Sequence, residues 1–285
     1  MAESKGNEVE CFLDGLPPST NRYTYEGKEQ FDQIYKIEFN RLQRALSLLQ
    51  SKSIDRNSHE LSEYFVIAID ASSFKQDFVL CETNSTLHLS YHAAQQTLII
   101  RMTTTEHAEV SMALNTEIME ILQRMGLHRA VLGYGKVDVD VGNGDTKRPD
   151  WGWGPIRRSD GPKRPQVVVE VAVSETETKL RNDARMWVDP VKGQAYMAIA
   201  IKVDRTKPMI TLDTYEWDSG TQRARVTQSC VVEETGTKIT VSQCPITIPF
   251  NYMFGRSPQI PKETDLQLEK QNLIDMASSV WAAQE

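Results

Sequence analysis

The sequence predicts an α/β protein with a mixed central sheet flanked by helices, followed by a β-meander and a final helix. Helical and strand patterns alternate between residues 28 and 205, which is typical of an α/β domain. Residues 166–203 form a strand–helix–strand pattern, the usual way to connect two parallel strands. Three alternating segments then predict antiparallel strands at 209–217, 222–232 and 237–242.

Length and composition favour a globular protein with a substantial core. The chain has 285 residues, of which 40% are hydrophobic and 25% charged. We expect an N-terminal arm and helix at 1–60, an α/β core at 61–205, and a meander with a C-terminal helix at 206–285, packed as one structural unit.

Charge and cysteine content exclude several function classes. The net charge of −7 is incompatible with a uniformly basic nucleic-acid-binding surface, although a local basic patch remains compatible with it. The four cysteines form no CxxC pair, so a zinc ribbon is not expected. The acidic N-terminus lacks a secretory signal and no apolar run spans a membrane, which predicts a cytoplasmic or nuclear protein that is not secreted.

The first half of the chain predicts two amphipathic helices separated by strands. Apolar residues recur at helical spacing over 28–52 and over about 105–125, where Gly126 ends the second helix. Between them we expect strands at Tyr64–Ile69, 77–90 and 95–102, with a polar loop at 51–60 and a turn at Ala71–Gln76.

The second half predicts short strands, a basic loop and the strand–helix–strand unit. We expect strands at Ala130–Tyr134 and Lys136–Val141, then a Gly/Pro-rich basic loop at 142–165. Val167–Val173 is the most β-prone segment, and a helix should follow it to about Val188. Ala195–Val203 predicts the second strand of the unit, and 262–283 predicts the last helix.

The two strands of this unit carry unusual charges. Strands covered on both faces are normally apolar on both, yet Glu170 interrupts the first and Lys202 the second. Because side chains alternate, each charge shares its face with alanines. If the strands are neighbours with these faces aligned, Glu170 and Lys202 line one cleft with an alanine floor.

A second carboxylate precedes this unit. Asp150 follows Pro149 and lies 20 residues before Glu170, across a loop long enough to bring the two together. Converging carboxylates are ligands suited to Mg²⁺ or Mn²⁺, and Glu117, beside the apolar stripe of its helix, is a candidate third ligand. A nearby lysine then orients the attacking water or stabilises charge on a phosphate.

The order of these motifs resembles the PD-(D/E)XK restriction-endonuclease-like superfamily. Most similar is a large, poorly characterised fungal branch, through the patterns K-x-P-D, P-x-x-V-x-E-V-x-x-S and L-x-x-D-A-x-x-W at Lys147–Asp150, Pro165–Ser174 and Leu180–Trp187. The resemblance covers about residues 100–205. It implies a central mixed sheet of about four strands and ancestral metal-dependent phosphodiester cleavage.

This sequence departs from the superfamily at the motif lysine. That lysine would fall at Ala172, two residues after Glu170. Related branches carry it on the following helix or a neighbouring strand, which makes Lys179, Arg185 and Lys202 the candidates. The facing argument favours Lys202.

Other residues are assigned supporting roles. Ser174 is the expected N-cap of the helix after the strand, while Asp183, Arg185 and Trp187 lie on that helix. The basic loop supplies a phosphate-contacting rim, and its tryptophans are candidates for stacking on bases. The rim residues are Lys147, Arg148, Trp151, Trp153, Arg157, Arg158, Lys163 and Arg164. The five histidines are scattered and suggest no metal pair.

Three functions remain open from the sequence. The leading one is a divalent-metal-dependent nuclease, with Mg²⁺ or Mn²⁺ on Asp150 and Glu170 and nucleic acid held by the basic loop. The second is a catalytically decayed nuclease fold that acts as a binding or scaffold protein, as Ala172 and the acidic net charge suggest. The third is an enzyme that reuses the cleft for a small metabolite, with a pocket drawn from Trp151, Trp153, Trp187 and Tyr196.

Overall fold

The computed structural model describes residues 12–50, 62–80, 87–135, 137–156, 164–173 and 176–284. These residues divide into two compact units. Unit 1 takes its residues from Met1–Thr103, Asp140–Arg148 and Ser174–Lys179, and unit 2 from Thr104–Val139, Pro149–Val173 and Leu180–Glu285.

Helices and strands alternate along most of the described chain. The strands are β1 (Asn21–Thr24), β2 (Tyr64–Ala68), β3 (His88–His92), β4 (Thr97–Arg101), β5 (Val131–Gly133), β6 (Val139–Gly142), β7 (Asp145–Lys147), β8 (Trp151–Pro155), β9 (Val167–Ala172), β10 (Met197–Asp204), β11 (Met209–Asp218), β12 (Arg223–Thr235), β13 (Lys238–Ser242), β14 (Ile246–Ile248) and β15 (Leu266–Leu268). The α-helices are α1 (Lys28–Gln50), α2 (Ala71–Phe74), α3 (Thr105–Met125), α4 (Glu177–Val188), α5 (Phe250–Phe254) and α6 (Lys270–Ala282). No helix of the described residues is long and apolar enough to cross a membrane.

Unit 1 is built on a mixed sheet in the order β1-β2-β4-β3-β7-β6. Strand β1 pairs with β2 in parallel, whereas β2, β3 and β4 pair antiparallel. The predicted helix at 28–52 is confirmed as α1, and its apolar residues pack on the sheet because they recur on one helix face. Phe31 and Leu42 lie in this core together with Phe65 and Ile100.

The segment after β2 was predicted incorrectly. Residues 71–79 were expected to turn and enter a strand, but they form α2 and a π-helical turn at Lys75–Val79. Asp70 caps this helix by accepting hydrogen bonds from the N–H groups of Ser72 and Ser73. Phe74 and Phe78, four residues apart, are both buried on one side, which is a helical rather than a strand pattern.

Unit 2 is built on a second mixed sheet in the order β13-β12-β11-β10-β9-β8-β5. Strands β9 and β10 are parallel, as the strand–helix–strand pattern predicted, and α4 connects them. The remaining neighbours in this sheet pair antiparallel, and the predicted meander is confirmed as β11, β12 and β13.

One face of this sheet carries the core of unit 2. The odd-numbered valines of β9 belong to one core cluster with Val110, Leu114 and Ile118 of α3, and Leu273 and Val280 of α6 are part of the same cluster. The predicted helix at 105–125 is therefore confirmed, and Gly126 ends it in a left-handed conformation at φ +78°. The structure is thus a mixed α/β protein whose mixed sheets are flanked by helices.

Two further elements of this half differ from the sequence prediction. The predicted basic loop at 142–165 contains β7 and β8. Gly152 allows β8 to lie close to β9, since a Cβ atom at this position would be 2.9 Å from the carbonyl oxygen of Val167. The predicted helix at 262–283 begins only at Lys270, after β15. Glu269 and Asn272 form a capping box that fixes this start.

The units also divide the chain differently from the predicted boundaries at residues 60 and 205. The N-terminal arm does not stand apart, since β1 adds a strand to the sheet of β2. The meander likewise continues the sheet of the core, because β10 pairs with β11 along its length. Backbone pairing across both boundaries is a long-range property that a local composition change does not reveal.

Candidate functional site

The candidate site of unit 2 begins with the pairing of β9 and β10. The parallel register sets Glu170 beside Ala200 and Ala172 beside Lys202. The predicted alignment of the two polar faces is therefore confirmed. Glu170 and Lys202 lie on adjacent strands two positions apart, which places their Cα atoms about 8 Å from each other.

Glu170 is held in place by Trp187, which α4 presents to the same face. The carboxylate is 2% exposed, and its Oε1 atom accepts a hydrogen bond from the indole N–H of Trp187. A buried carboxylate needs such donors because desolvation of the charge costs several kcal/mol. Trp187 therefore fixes one of the two predicted carboxylates by a direct hydrogen bond.

A glycine after α4 allows the chain to return to β10 beside Trp187. A Cβ atom at Gly193 would lie 2.3 to 2.7 Å from backbone atoms of Trp187, so no larger residue fits without a shift. Ala195 then donates its N–H to the carbonyl oxygen of Trp187 at 2.8 Å. This close approach fixes the end of α4 and with it the indole that contacts Glu170.

Lys202 is partly buried near the carboxyl end of β9. Its ammonium Nζ donates a hydrogen bond to the carbonyl oxygen of Val173 at 3.0 Å. Its neighbour in register is Ala172, the position where the superfamily lysine was expected. Lys202 therefore begins beside Ala172, and its ammonium reaches the carboxyl end of β9.

Asp150 immediately precedes β8 and is 3% exposed. Antiparallel pairing sets Trp151 beside Val169, and continuing this register by one residue brings the backbone of Asp150 opposite Glu170. Asp150 Oδ2 accepts a hydrogen bond from the N–H of Val171 at 2.7 Å, which binds the aspartate to β9. The two predicted carboxylates therefore belong to adjacent chain segments at the same end of the sheet.

His107 is the site residue that the sequence analysis missed. Its Nε2 atom lies 3.0 Å from Asp150 Oδ2 and 3.1 Å from the carbonyl oxygen of Val171. The His107 side chain is 2% exposed and that of Asp150 is fully buried. A signal existed, since His107 lies three and seven residues before Val110 and Leu114 and so continues the apolar stripe of α3.

The two carboxylates provide the hard oxygen ligands that Mg²⁺ and Mn²⁺ prefer. Within the described residues no group of three His, Cys, Asp or Glu side chains is arranged to hold a metal ion. Magnesium, however, is commonly bound through one or two carboxylates together with substrate phosphates and water. Asp150 and Glu170 supply two carboxylates on adjacent chain segments, which fits a site of the two-carboxylate type.

Glu117 takes part in a different contact. It accepts a hydrogen bond from Asn272 at 2.7 Å and so connects α3 with α6. Burial raises its pKa above the usual range, an effect that the bond from Asn272 opposes. Ten residues separate it from His107, about 15 Å along the helix, so Glu117 lies away from Asp150 and the prediction that it is a third ligand is wrong.

The tryptophans of β8 do not form a stacking surface together. Trp153 is 1% exposed and donates its indole N–H to Asn115 at 3.0 Å, which places it in the core. Trp151 is half-buried and covers Gly133 and Gly135, where a Cβ atom would lie 3.2 and 2.4 Å from its ring. The predicted rim role is therefore wrong for Trp153, because its ring has no exposed face.

The basic residues before Asp150 are not an exposed rim. Lys147 and Arg148 are buried in unit 1, where Arg148 donates to the carbonyl oxygen of Leu87. Lys147 pairs with Ser90 of β3, and the N–H of Arg148 donates to the carbonyl oxygen of Leu89 at 3.0 Å, so backbone pairing holds both residues within unit 1. Charge alone does not indicate this pairing. Of the rest of the predicted rim, Arg164 donates to the carbonyl oxygen of Gly193 at 3.5 Å. Arg157, Arg158 and Lys163 lie outside the described residues.

The remaining predicted residues belong to α4 or its approach. Asp183 is half-buried and Arg185 is exposed on this helix. Lys179 is buried in the part of α4 that belongs to unit 1, and its N–H donates to Thr176 Oγ1 at 3.3 Å. Ser174 lies outside the described residues.

A comparison with models of protein families finds no family that matches this chain. A comparison with curated proteins finds no significant match either.

Proposed function

We propose that unit 2 is a restriction-endonuclease-like core and that the protein is a divalent-metal-dependent nuclease. The observation that carries this proposal is the strand register around Glu170. It sets Asp150 before β8, Glu170 on β9 and Lys202 on β10 within two positions of one another at one end of the sheet. Two carboxylates suit a Mg²⁺ or Mn²⁺ ion, and a lysine beside them can stabilise negative charge on a phosphate.

Asp150 and Glu170 are the proposed ligands of the cation. A bound Mg²⁺ or Mn²⁺ supplies Lewis-acid polarisation of a phosphoryl oxygen and a water of lowered pKa. The protein contributes a fixed orientation of both carboxylates, since Val171 holds Asp150 and Trp187 holds Glu170. Fixed ligands need little reorganisation when charge develops in the transition state.

Lys202 is the proposed substitute for the lysine that Ala172 replaces. Neighbours in register on parallel strands lie about 4.8 Å apart with side chains on the same face. A lysine on β10 therefore begins beside the small side chain of Ala172 and reaches the end of β9, where its ammonium contacts Val173. There it stabilises negative charge on a phosphate or orients the attacking water.

A binding protein on the same fold is the second candidate, favoured by the burial of the carboxylates. Asp150 and Glu170 are 3% and 2% exposed, and each already accepts a hydrogen bond from a buried donor. Such carboxylates also stabilise a fold without any catalysis. This candidate predicts that substitutions at both positions alter stability while cleavage is absent from the wild type.

Cleavage assays distinguish the two candidates. Single- and double-stranded DNA and RNA are incubated with the full chain and Mg²⁺ or Mn²⁺, using wild type, Asp150→Asn, Glu170→Gln and Lys202→Met. We expect metal-dependent cleavage that both carboxylate variants abolish and that Lys202→Met lowers by about 10²–10⁴-fold.

Exposed residues of the same sheet provide matched controls. Glu233→Gln on β12 and Lys207→Met in the turn after β10 remove equal charges away from the site. Both should cleave like wild type. Absence of cleavage from a folded wild type, or cleavage that survives Asp150→Asn, would contradict the nuclease proposal.

A further inference from the structure

We infer that His107 is a positioning residue for Asp150: its imidazole N–H orients the carboxylate that binds the cation. This inference rests on the proposed function, and it assigns a role to a residue of α3 that no motif identifies. It follows from three contacts among His107, Asp150 and the backbone of Val171.

The contacts form a closed arrangement around one carboxylate oxygen. Asp150 Oδ2 accepts the N–H of Val171 at 2.7 Å and lies 3.0 Å from His107 Nε2. The same Nε2 atom lies 3.1 Å from the carbonyl oxygen of Val171. The N–H and the carbonyl oxygen of Val171 thus both take part, so Asp150 is fixed to β9 and to α3.

The acceptors around Nε2 determine the proton position on His107. A carbonyl oxygen and an ionised carboxylate oxygen can only accept hydrogen bonds, so Nε2 must carry a proton to satisfy either. The N–H then directs Oδ2 toward α3 and sets the rotation of the carboxylate. Removal of a hydrogen-bond donor that orients a metal ligand typically lowers metal affinity by about 10–100-fold.

A purely structural role for His107 makes a different prediction. Its side chain is buried at the end of the apolar stripe of α3, so removal of the ring also lowers stability by leaving a cavity. That effect would act on unfolding alone and would leave the cation affinity of the folded protein unchanged. Affinity measured on folded protein therefore separates the two roles.

The test measures Mn²⁺ binding by calorimetry for the full chain as wild type, His107→Ala, His107→Gln and Asp150→Asn. The glutamine amide nitrogen takes nearly the place of imidazole Nε2 and can donate the same hydrogen bond. We expect the Mn²⁺ dissociation constant to rise about 10–100-fold in His107→Ala and to return to within a few-fold of wild type in His107→Gln. His128→Ala, a half-buried histidine beyond the end of α3, should bind Mn²⁺ like wild type.

The outcomes separate this inference from the proposed function. Binding by wild type that Asp150→Asn abolishes and folded His107→Ala retains at full affinity overturns the positioning role and leaves the nuclease proposal intact. Equal loss in His107→Ala and His107→Gln also overturns it, since the restored donor should rescue affinity. No binding by folded wild type overturns both. Circular dichroism at the calorimetry temperature establishes that each variant is folded.

Discussion

Replacing Trp187 with phenylalanine tests whether the indole N–H stabilises the buried carboxylate of Glu170. The smaller ring keeps most of the apolar packing but cannot donate to Oε1. A hydrogen bond to a charged group contributes about 1.5–3 kcal/mol to stability. The volume lost from a fully buried tryptophan adds roughly 1–2 kcal/mol. We therefore expect Trp187→Phe to lower the free energy of unfolding by about 2.5–5 kcal/mol.

A double-mutant cycle with Glu170→Gln isolates the hydrogen bond from the cavity. Glutamine keeps a neutral acceptor, whose bond contributes only about 0.5–1.5 kcal/mol. The coupling energy between Trp187→Phe and Glu170→Gln should therefore be about 1–2 kcal/mol. Urea denaturation followed by far-ultraviolet circular dichroism measures all four free energies of unfolding.

Trp153→Phe is the matched control for this cycle. Trp153 is also buried in unit 2, but its indole donates to the neutral amide of Asn115. Trp153→Phe should lower the free energy of unfolding by about 1–1.5 kcal/mol less than Trp187→Phe does. Its effect should be additive with that of Glu170→Gln. A coupling energy below about 0.5 kcal/mol between Trp187→Phe and Glu170→Gln would show that the indole N–H does not stabilise the Glu170 carboxylate. An equal loss of unfolding free energy in Trp187→Phe and Trp153→Phe would show the same.

Two further predictions concern the lysine position and pH. The double variant Ala172→Lys/Lys202→Ala moves the ammonium to the neighbouring position in register and should restore part of the cleavage that Lys202→Ala loses. Cleavage by the double variant no faster than that of Lys202→Ala would contradict the proposal that Lys202 replaces a lysine at position 172. Hydrogen bonds from Arg256 lower the pKa of Glu263 to about 2. The ionised Glu263 therefore stabilises the folded state above its unfolded-state pKa, and this stabilisation is lost as the pH falls toward 2. Glu263→Gln should make the urea midpoint fall less steeply between roughly pH 5 and pH 3 than it does in the wild type. An equally steep fall in the variant would contradict this prediction.

The pattern of apolar residues was sufficient to predict the part of unit 2 that carries the proposed site. Glu170 interrupts a run of valines, and period-two alternation placed it on one face with Lys202 before any pairing was known. The parallel pairing followed from the helix between the two strands. Side-chain alternation and the order of strand, helix and strand are local features, so the sequence alone is sufficient to predict them.

Features that depend on long-range contacts were not predicted. His107 reaches Asp150 only because α3 packs on β9, and a lone histidine in a helix gives no sign of that partner. Lys147 and Arg148 have the composition of an exposed basic loop, yet tertiary pairing buries them in unit 1. The helical segment 71–79 was missed because its cap and its two buried phenylalanines, Phe74 and Phe78, outweigh the weak local propensity of a short serine-containing segment.

The most direct test of the central claim is Mn²⁺ binding by the wild type compared with Asp150→Asn and Glu170→Gln. We expect a Mn²⁺ site that each variant abolishes and that Glu233→Gln on the exposed part of β12 leaves intact. Two carboxylates at one end of the sheet would then be established as cation ligands. Unchanged Mn²⁺ affinity in both folded variants, or no binding by folded wild type, would show that Asp150 and Glu170 do not hold a cation.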